Sequence, residues 1–217
     1  MSIAALIVAA GRGTRAGGND PKQWQMLAGK RVIDHTLNAF KQHSNIDTIL
    51  VVLHPEDQNR LTDPTIKTAL GGETRNQSVY NGLRALRAAA RRQVLLQDVA
   101  GALISAKGIT DVIEALQTHS GAAPALPITD ALWRGQDGLV EETVARENLF
   151  RAQTPQGFDF ESILQAHAQA CGAAADDVEV AMQAGLDVKI ISGHEENIKI
   201  TIPEDFERAS KIMKDRR

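Results

Sequence analysis

Residues 4–25 read AALIVAAGRGTRAGGNDPKQWQ, an unbroken apolar run that leads directly into a glycine-rich loop. Short apolar runs like the one at 4–9 are typical of strands covered on both faces, as in a parallel sheet. The glycines that follow let backbone N–H groups turn toward a ligand, and successive N–H groups in such a turn form an anion site. Arg12, Arg15 and Lys22 add positive charge to the same loop. The stretch therefore predicts a first strand followed by a loop suited to a triphosphate.

The glycines of this loop do not identify a nucleotide site by themselves. The dinucleotide fingerprint needs a third glycine at a set spacing, the P-loop needs G-x-x-x-x-G-K-[ST], and the sequence has neither pattern. A plain surface loop is therefore the alternative interpretation. The longer pattern A-A-G-x-G-T-R, which begins at Ala9 and is followed by Pro21-Lys22, is more specific. It resembles the signature of nucleotidyltransferases that wrap this loop around a nucleoside triphosphate.

Composition and charge exclude several classes of protein. The chain has 217 residues, 43% apolar and 24% charged, which is ordinary for a globular protein, and we expect one domain over 1–217. The net charge of −3, with no basic run except the terminal KDRR, argues against nucleic-acid binding. Cys171 is the only cysteine, so we expect no internal disulfide, no cysteine zinc site and a cytoplasmic location. No secretion signal and no apolar run near ~18 residues is present, so we expect no membrane association.

Apolar runs and helical spacings alternate along most of the chain. Strands are predicted at 4–9, 47–53, 66–70, 93–96, 123–127, 187–192 and 198–200. Helices are predicted at 32–43, 55–61, 106–118, 176–184 and 204–217, with another capped by Thr74 and one after the segment 153–158. Repeated β–α units predict an α/β, Rossmann-like fold, with a mostly parallel sheet and helices on both faces. Ligands of such folds bind at the carboxyl edge of the strands.

Residues 129–150 interrupt this alternation. Short alternating pieces flank Gly135-Gln136-Asp137-Gly138, which is a hairpin signal, and an isolated hairpin is barely stable in water. We therefore expect this protruding β-arm to pack on something, with Trp133 and Leu139 as the contacting side chains. The arm either folds back on its own domain or meets a second subunit.

Three further motifs narrow the resemblance. They are P-K-Q at 21–23, L-A-G-K-x-V-I-D-H-T at 27–36 and N-I-K-I-T-x-P-E-D-F at 197–206. With these motifs the chain resembles the 2-C-methyl-D-erythritol 4-phosphate cytidylyltransferase family of the non-mevalonate isoprenoid pathway, over nearly its whole length. The resemblance implies in-line attack of the acceptor phosphate on the α-phosphorus of CTP, with loss of pyrophosphate. Positioning and charge neutralisation carry such a reaction.

The resemblance also implies roles for individual residues. The catalytic cations would be Arg15, Lys22, Arg146 and Lys199. CTP would be held at Ala9, Ala10, Gly11, Gly13, Gly71, Gly72, Ser78 and Val99. The acceptor would be held by Asp98, Arg146, Thr154 and Lys199. Asp98 would be the protein ligand of Mg²⁺ or another divalent cation, and the arm would be exchanged in a homodimer. Structural alternatives are an edge lysine for Lys199, a cap for Asp98 and an ordinary helix serine for Ser78.

The chain departs from the family pattern on the acceptor side. Gly101 stands where the family has an arginine that helps bind the phospho-sugar alcohol, and Ala131 and Ala175 stand where it has threonines. We therefore expect weak acceptor binding, which an arginine at position 101 would strengthen. The alternatives are a cytidylyltransferase for another phospho-polyol such as ribitol 5-phosphate, a molybdopterin-type guanylyltransferase, and a weakly active nucleotide-binding homologue.

Overall fold

The structure, a computed structural model, describes residues 2–13, 20–89 and 92–216, so Arg15 lies outside the described residues. Its strands are β1 Ile3–Ala9, β2 Met26–Leu27, β3 Lys30–Arg31, β4 Thr48–Leu53, β5 Lys67–Leu70, β6 Gln93–Asp98, β7 Gly121–Pro127, β8 Leu132–Gln136, β9 Leu139–Val144, β10 Phe150–Ala152, β11 Gln156–Asp159 and β12 Val188–Ser192. Its α-helices are α1 Val32–Lys41, α2 Arg75–Leu86, α3 Ala106–Ala115, α4 Phe160–Gln169, α5 Asp177–Gln183 and α6 Pro203–Asp215. Short 3₁₀ turns lie outside these strands and α-helices, at Lys22–Trp24, Pro55–Arg60 and Arg87–Ala89.

The main sheet has eight strands in the order β10-β7-β11-β6-β1-β4-β5, with β12 paired to β7. Strand β1 lies parallel to both β4 and β6, and β4 lies parallel to β5. Strand β12 is parallel to β7, whereas β10 and β11 run antiparallel to their neighbours. The predicted α/β, mostly parallel sheet is therefore confirmed.

Both faces of the sheet are buried, and β1 shows why its sequence is continuously apolar. Ile3 and Ile7 pack with α1 and α3 on one face, while Ala4 and Leu6 pack with α2 and α4 on the other. Successive strand residues point to opposite faces, so a strand covered on both sides needs apolar residues at every position. A separate buried apolar cluster packs α6 against the turn after β6, and it includes Ala209 of α6 and Ala100 of the turn.

The predicted strand at 198–200 is wrong. Among the described residues this segment pairs with no strand, and its one backbone–backbone hydrogen bond there joins Ile200 N to Ala100 O at 3.0 Å. The bond attaches it to the turn after β6 and not to a sheet edge. The predicted alternation of burial holds, because Ile200 is buried and Lys199 is exposed. The other predicted strands are present near their expected bounds.

The predicted hairpin at 129–150 is present as β8 and β9, which form a separate two-stranded sheet. Its apolar side chains face outward: Trp133 is 66% exposed and Leu139 is 74% exposed. The two side chains expected to contact a partner are therefore not covered by the chain's own described residues. None of the helices in the described ranges combines the length and the apolar composition that a membrane-spanning helix needs.

Candidate active site

A cleft of about 290 Å³ opens at the carboxyl edge of β1, β5 and β6, where the fold class predicts a ligand site. Strand β1 leads into the glycine-rich loop, β5 into the Gly71-Gly72 turn, and β6 ends at Asp98. The lining residues are Val8, Ala10, Gly11, Gly13, Lys22, Gln23, Gly72, Glu73, Thr74, Arg75, Ser78, Asp98, Val99, Ala100 and Lys199.

Hydrogen bonds hold Lys22 at the edge of this cleft. Its Nζ donates to the carbonyl of Ile200 at 2.9 Å. The next residue, Gln23, is buried, and its Nε2 donates to the carbonyls of Ala9 at 3.0 Å and Gly11 at 3.1 Å. The P-K-Q motif therefore uses its glutamine to tie the 3₁₀ turn to the end of β1, a role that the sequence analysis missed.

The Gly71-Gly72 turn depends on close backbone approach. A Cβ added at Gly71 would lie 2.4 Å from the Cβ of Ala10, so no larger residue fits there without a shift. Ser78 Oγ accepts a hydrogen bond from Gly72 N at 3.0 Å and donates to Thr74 O at 2.9 Å. Ser78 thus shapes the turn as well as lining the cleft, and the spacing G-G-x-x-x-x-x-S follows from this contact.

Four charged side chains form a network at the cleft wall. Lys199 Nζ donates to Asp98 Oδ2, and Arg75 Nη2 donates to Asp98 Oδ1 at 3.3 Å. Arg75 also binds Asp177 through both oxygens, at 2.9 and 2.7 Å. Two cations therefore balance two carboxylates, and the network joins β6, α2, α5 and the segment before α6.

The network sets the pKa values of its members. Burial alone would raise the pKa of Asp98, but the charges of Arg75 and Lys199 outweigh it and leave that pKa below its usual value. Burial acts in the same direction on Asp177, and contacts with His167 and Arg75 again bring the pKa below its usual value. Burial would lower the pKa of Arg75, but Asp177 and Asp98 raise it. All three groups are therefore charged at neutral pH.

A second cleft, of about 390 Å³, adjoins the first. The two share Arg75, Asp98 and Lys199. The second is also lined by Gly101, Leu126, Arg151, Ala152, Gln153, Thr154, Gln156, Ala175, Asp176, Glu195, Asn197, Ile198, Asp205 and Arg208. Two ligands bound in these clefts would meet at the charged network.

The structure brings most of the predicted site residues together. Ala10, Gly11, Gly13, Lys22, Gly72, Ser78, Asp98, Val99 and Lys199 line the first cleft, and Thr154 lines the second. Ala9 and Gly71 lie just behind the lining, where Ala9 accepts from Gln23 and Gly71 N donates to Leu53 O at 2.8 Å.

Arg146 is not brought to either cleft. It lies within the arm, in the stretch between β9 and β10, where its Nη1 donates to Thr129 O. Arg75 and Asp177 are the residues that sequence reasoning missed at this site. The sequence did contain a signal for Arg75, because Arg75 is the arginine of the G-G-x-x-R-x-x-S pattern at 71–78.

The residues that could hold a metal ion are few. Within the described ranges, no three His, Cys, Asp or Glu side chains group around a common point. Asp98 and Glu73 are the carboxylates that line the first cleft. Mg²⁺ commonly binds through one or two carboxylates plus substrate phosphates, so Asp98 fits an ion that arrives with a triphosphate.

Comparisons with known proteins agree with this geometry. The family model described as IspD, 2-C-methyl-D-erythritol 4-phosphate cytidylyltransferase, matches residues 3–215. A protein of that name from Cereibacter sphaeroides ATCC 17023 is 49% identical, over 98% of this chain and 97% of its own length. The bifunctional enzyme IspD/IspF of Ruegeria pomeroyi is 52% identical over 99% of this chain, which spans 57% of that longer protein.

Solved structures give the same result. A crystal structure of 4-diphosphocytidyl-2C-methyl-D-erythritol synthase superposes with a TM-score of 0.86 at 29% identity, over 98% of both chains. That of 2-C-methyl-D-erythritol 4-phosphate cytidylyltransferase from Thermus thermophilus gives 0.82 at 31% identity, over 99% of this chain and 100% of its own. The chain therefore belongs to the 2-C-methyl-D-erythritol 4-phosphate cytidylyltransferase (IspD) family.

Proposed function

We propose that this protein is a single nucleotidyltransferase domain that transfers CMP from CTP to 2-C-methyl-D-erythritol 4-phosphate and releases pyrophosphate. The observation that carries the proposal is the junction of two clefts at Arg75, Asp98 and Lys199. One cleft is bordered by the glycine-rich loop and the Gly72 turn, which suit a nucleotide. The other contains Thr154 and suits a small polar acceptor.

In the proposed reaction, an oxygen of the acceptor phosphate forms a bond to the α-phosphorus of CTP. The bond between the α-phosphorus and the bridging oxygen to the β-phosphate breaks in line, and pyrophosphate leaves with the electron pair. Lys22 and Arg15 would neutralise the triphosphate, and Lys199 would approach the α-phosphate from another side. The protein supplies positioning and charge, and no nucleophile of its own is needed.

CTP binding is assigned to the backbone around Ala9, Ala10, Gly11, Gly13, Gly71 and Gly72, together with Ser78 and Val99. Asp98 would hold Mg²⁺ or another divalent cation together with the phosphates. When bound, the ion supplies charge neutralisation of the phosphate oxygens. Because Arg75 and Lys199 already contact both carboxylate oxygens of Asp98, the ion would bind by exchange with one of them.

The proposal includes a homodimer in which each arm reaches the partner's acceptor cleft. Its support is the exposure of Trp133 and Leu139, together with the position of Arg146 away from both clefts of its own chain. Arg146 of one subunit would then orient the acceptor phosphate in the other. The cytoplasmic location remains a prediction from the sequence.

The test is pyrophosphate release with CTP, Mg²⁺ and 2-C-methyl-D-erythritol 4-phosphate. UTP, GTP and ATP replace CTP in parallel, and ribitol 5-phosphate replaces the acceptor. We expect release with CTP and 2-C-methyl-D-erythritol 4-phosphate at a higher kcat/KM than with any other pair. Faster release with ribitol 5-phosphate would move the assignment to another cytidylyltransferase. CTP binding without release in any combination would identify a binding homologue.

A further inference from the structure

We infer that Arg75 contacts substrate phosphate at the junction of the two clefts, and that Asp177 and His167 are positioning residues that fix its guanidinium there. This inference rests on the proposed function and adds three residues that the sequence analysis did not assign to the reaction.

Arg75 occupies a place where both substrates can meet it. It is the first residue of α2, directly after the cap Thr74, and it lines both clefts together with Asp98 and Lys199. Its side chain is 25% exposed, so it is largely buried but open to a ligand. A guanidinium is permanently charged and has five N–H groups, so those that Asp177 and Asp98 do not use can donate to phosphate oxygens.

Asp177 holds the guanidinium of Arg75 through both of its terminal nitrogens. The carboxylate is fully buried and accepts from Nη1 of Arg75 at 2.9 Å and from Nη2 at 2.7 Å. Two parallel bonds fix both the position and the plane of the guanidinium. Lys199 has a single flexible ammonium and is 56% exposed, so it is free to change partner when a phosphate enters. Arg75 is therefore the fixed cation of the junction and Lys199 the adjustable one.

The main chain around Asp177 is itself anchored. Gln156 on β11 is buried, and its Oε1 accepts from the backbone N–H groups of Asp177 and Val178, both at 3.1 Å. Its Nε2 donates to Asp176 Oδ2 at 2.8 Å, and Asp176 caps α5. The start of α5 is thus fixed to the sheet. Because Asp177 is the first residue of α5 and bonds to Arg75, this also fixes the position of the Arg75 guanidinium.

His167 completes the support from α4. Its side chain is fully buried, and its Nε2 lies 3.2 Å from Asp177 Oδ1. Neither ring nitrogen makes a well-aligned hydrogen bond among the described residues, so this close approach to Asp177 is the one polar contact of the imidazole there. A buried imidazole with one polar contact costs free energy relative to an apolar side chain of similar size. Its contact with Asp177 is therefore the reason that we assign for a histidine at this position.

Stability alone does not explain this arrangement. Buried ion pairs are weak stabilisers, because the cost of desolvation offsets most of the attraction. Proteins in which apolar residues of similar volume replace such a pair are often equally stable. The buried polar groups His167 and Asp177 lead to Arg75, which lines both clefts. Their arrangement is better explained if they orient the guanidinium of Arg75. Errors of about 1 Å in such positioning cost about 10²-fold in rate.

The experiment compares His167→Leu and Arg75→Lys with the control His43→Leu. His43 is also a buried histidine with a side-chain partner, Thr110 at 3.0 Å, but it lines neither cleft. We measure kcat, KM for each substrate, the Kd for CTP without acceptor, and the urea midpoint. His167→Leu should lower kcat/KM for both substrates by ~10-fold or more. The control should change the urea midpoint without changing the kinetic constants or the Kd.

A double-mutant cycle separates positioning from general loss of structure. If His167 acts through Arg75, the double variant His167→Leu/Arg75→Lys should be about as slow as the slower single variant. Multiplied effects of the two substitutions would overturn the inference, and so would wild-type constants in folded His167→Leu. If the wild type itself releases no pyrophosphate, the proposed function fails, and the same cycle measured on the Kd for CTP decides the inference separately.

Discussion

Lys22 Nζ donates a hydrogen bond to the backbone carbonyl of Ile200, at 2.9 Å, across 178 positions of sequence. This bond joins the glycine-rich loop to the segment that carries Lys199. The two lysines assigned to catalysis therefore project from segments that are bonded to each other, and both line the first cleft. The proposed cations reach the nucleotide from opposite ends of the chain.

Lys22→Ala is expected to lower kcat far more than it raises the KM for CTP. Lys22 would contact charge that develops in the transition state, and loss of one such contact costs ~10²–10³-fold in rate. Steady-state kinetics with each substrate varied provide the measurement. Lys30→Ala serves as the matched control, because Lys30 is exposed on β3 and lines neither cleft. A Lys22→Ala enzyme that keeps more than about half of the wild-type kcat would remove Lys22 from the mechanism.

The position of Arg146 leads to a mixing experiment. If Arg146 acts in the partner's site, Lys22→Ala and Arg146→Ala subunits are each inactive alone, but their heterodimer contains one site with both residues intact. Random exchange would then restore about a quarter of the wild-type activity, since half of the dimers are mixed and half of their sites are complete. The recovery is measured as pyrophosphate release after subunit exchange has been verified with differently tagged chains. Confirmed exchange with no recovery would place Arg146 in its own subunit's site or outside it.

The sequence predicts local structure well where one physical signal dominates. The apolar run of β1 has a single interpretation, because a strand buried on both faces needs apolar residues throughout. The cap at Thr74 is confirmed by its hydrogen bond from Gln77 N at 3.1 Å. The segment 198–200 has the same apolar alternation as a strand, but alternation reports burial and not pairing. Its backbone partner, Ala100 O, lies in a turn that no periodicity identifies.

Contacts distant in sequence account for the rest of the site. Arg75 and Asp177 are 102 positions apart, and the sequence around either residue does not indicate that the two side chains are in contact. The bond from Gln23 to Ala9 spans 14 positions, yet the sequence alone does not distinguish a structural glutamine from one that binds ligand. Motif resemblance located the site, whereas the support beneath it depends on tertiary packing.

Acid should weaken the fold through Asp177. The pKa of this carboxyl is lower in the folded protein, so its contribution to stability is complete above the ordinary aspartate pKa of about 3.9. The contribution is lost as the pH falls through the lower pKa of the folded state. The free energy of unfolding should therefore decrease below about pH 4 in the wild type, and less steeply in Asp177→Asn. Urea unfolding at several pH values provides the measurement, and identical slopes for the two proteins would contradict the assignment.

Gly101 and Gln97 should be changed together. Gly101 lies outside the left-handed region, so its backbone accepts other residues, but a Cβ there would lie 2.3 Å from Gln97 Nε2. Gln97 is fully buried and donates to Gly101 O at 2.9 Å, so its amide cannot simply move into solvent. The expectation that an arginine at 101 suffices to strengthen acceptor binding is therefore revised. Alone, Gly101→Arg should destabilise the protein by ~1–3 kcal/mol through overpacking.

In Gln97→Ala/Gly101→Arg, the clash is removed and the new side chain can enter the second cleft, because the added Cβ also lies 3.3 Å from Thr154 Oγ1, which lines it. A new charge-assisted hydrogen bond to the acceptor should lower the acceptor KM by ~10-fold and leave the CTP KM unchanged. Gln97→Ala is the control for loss of the amide, and thermal unfolding and kinetics are measured on all three variants. If the double variant is folded but has the same acceptor KM as Gln97→Ala, position 101 does not face the acceptor. Gly101 would then no longer support the assignment of the second cleft to the acceptor.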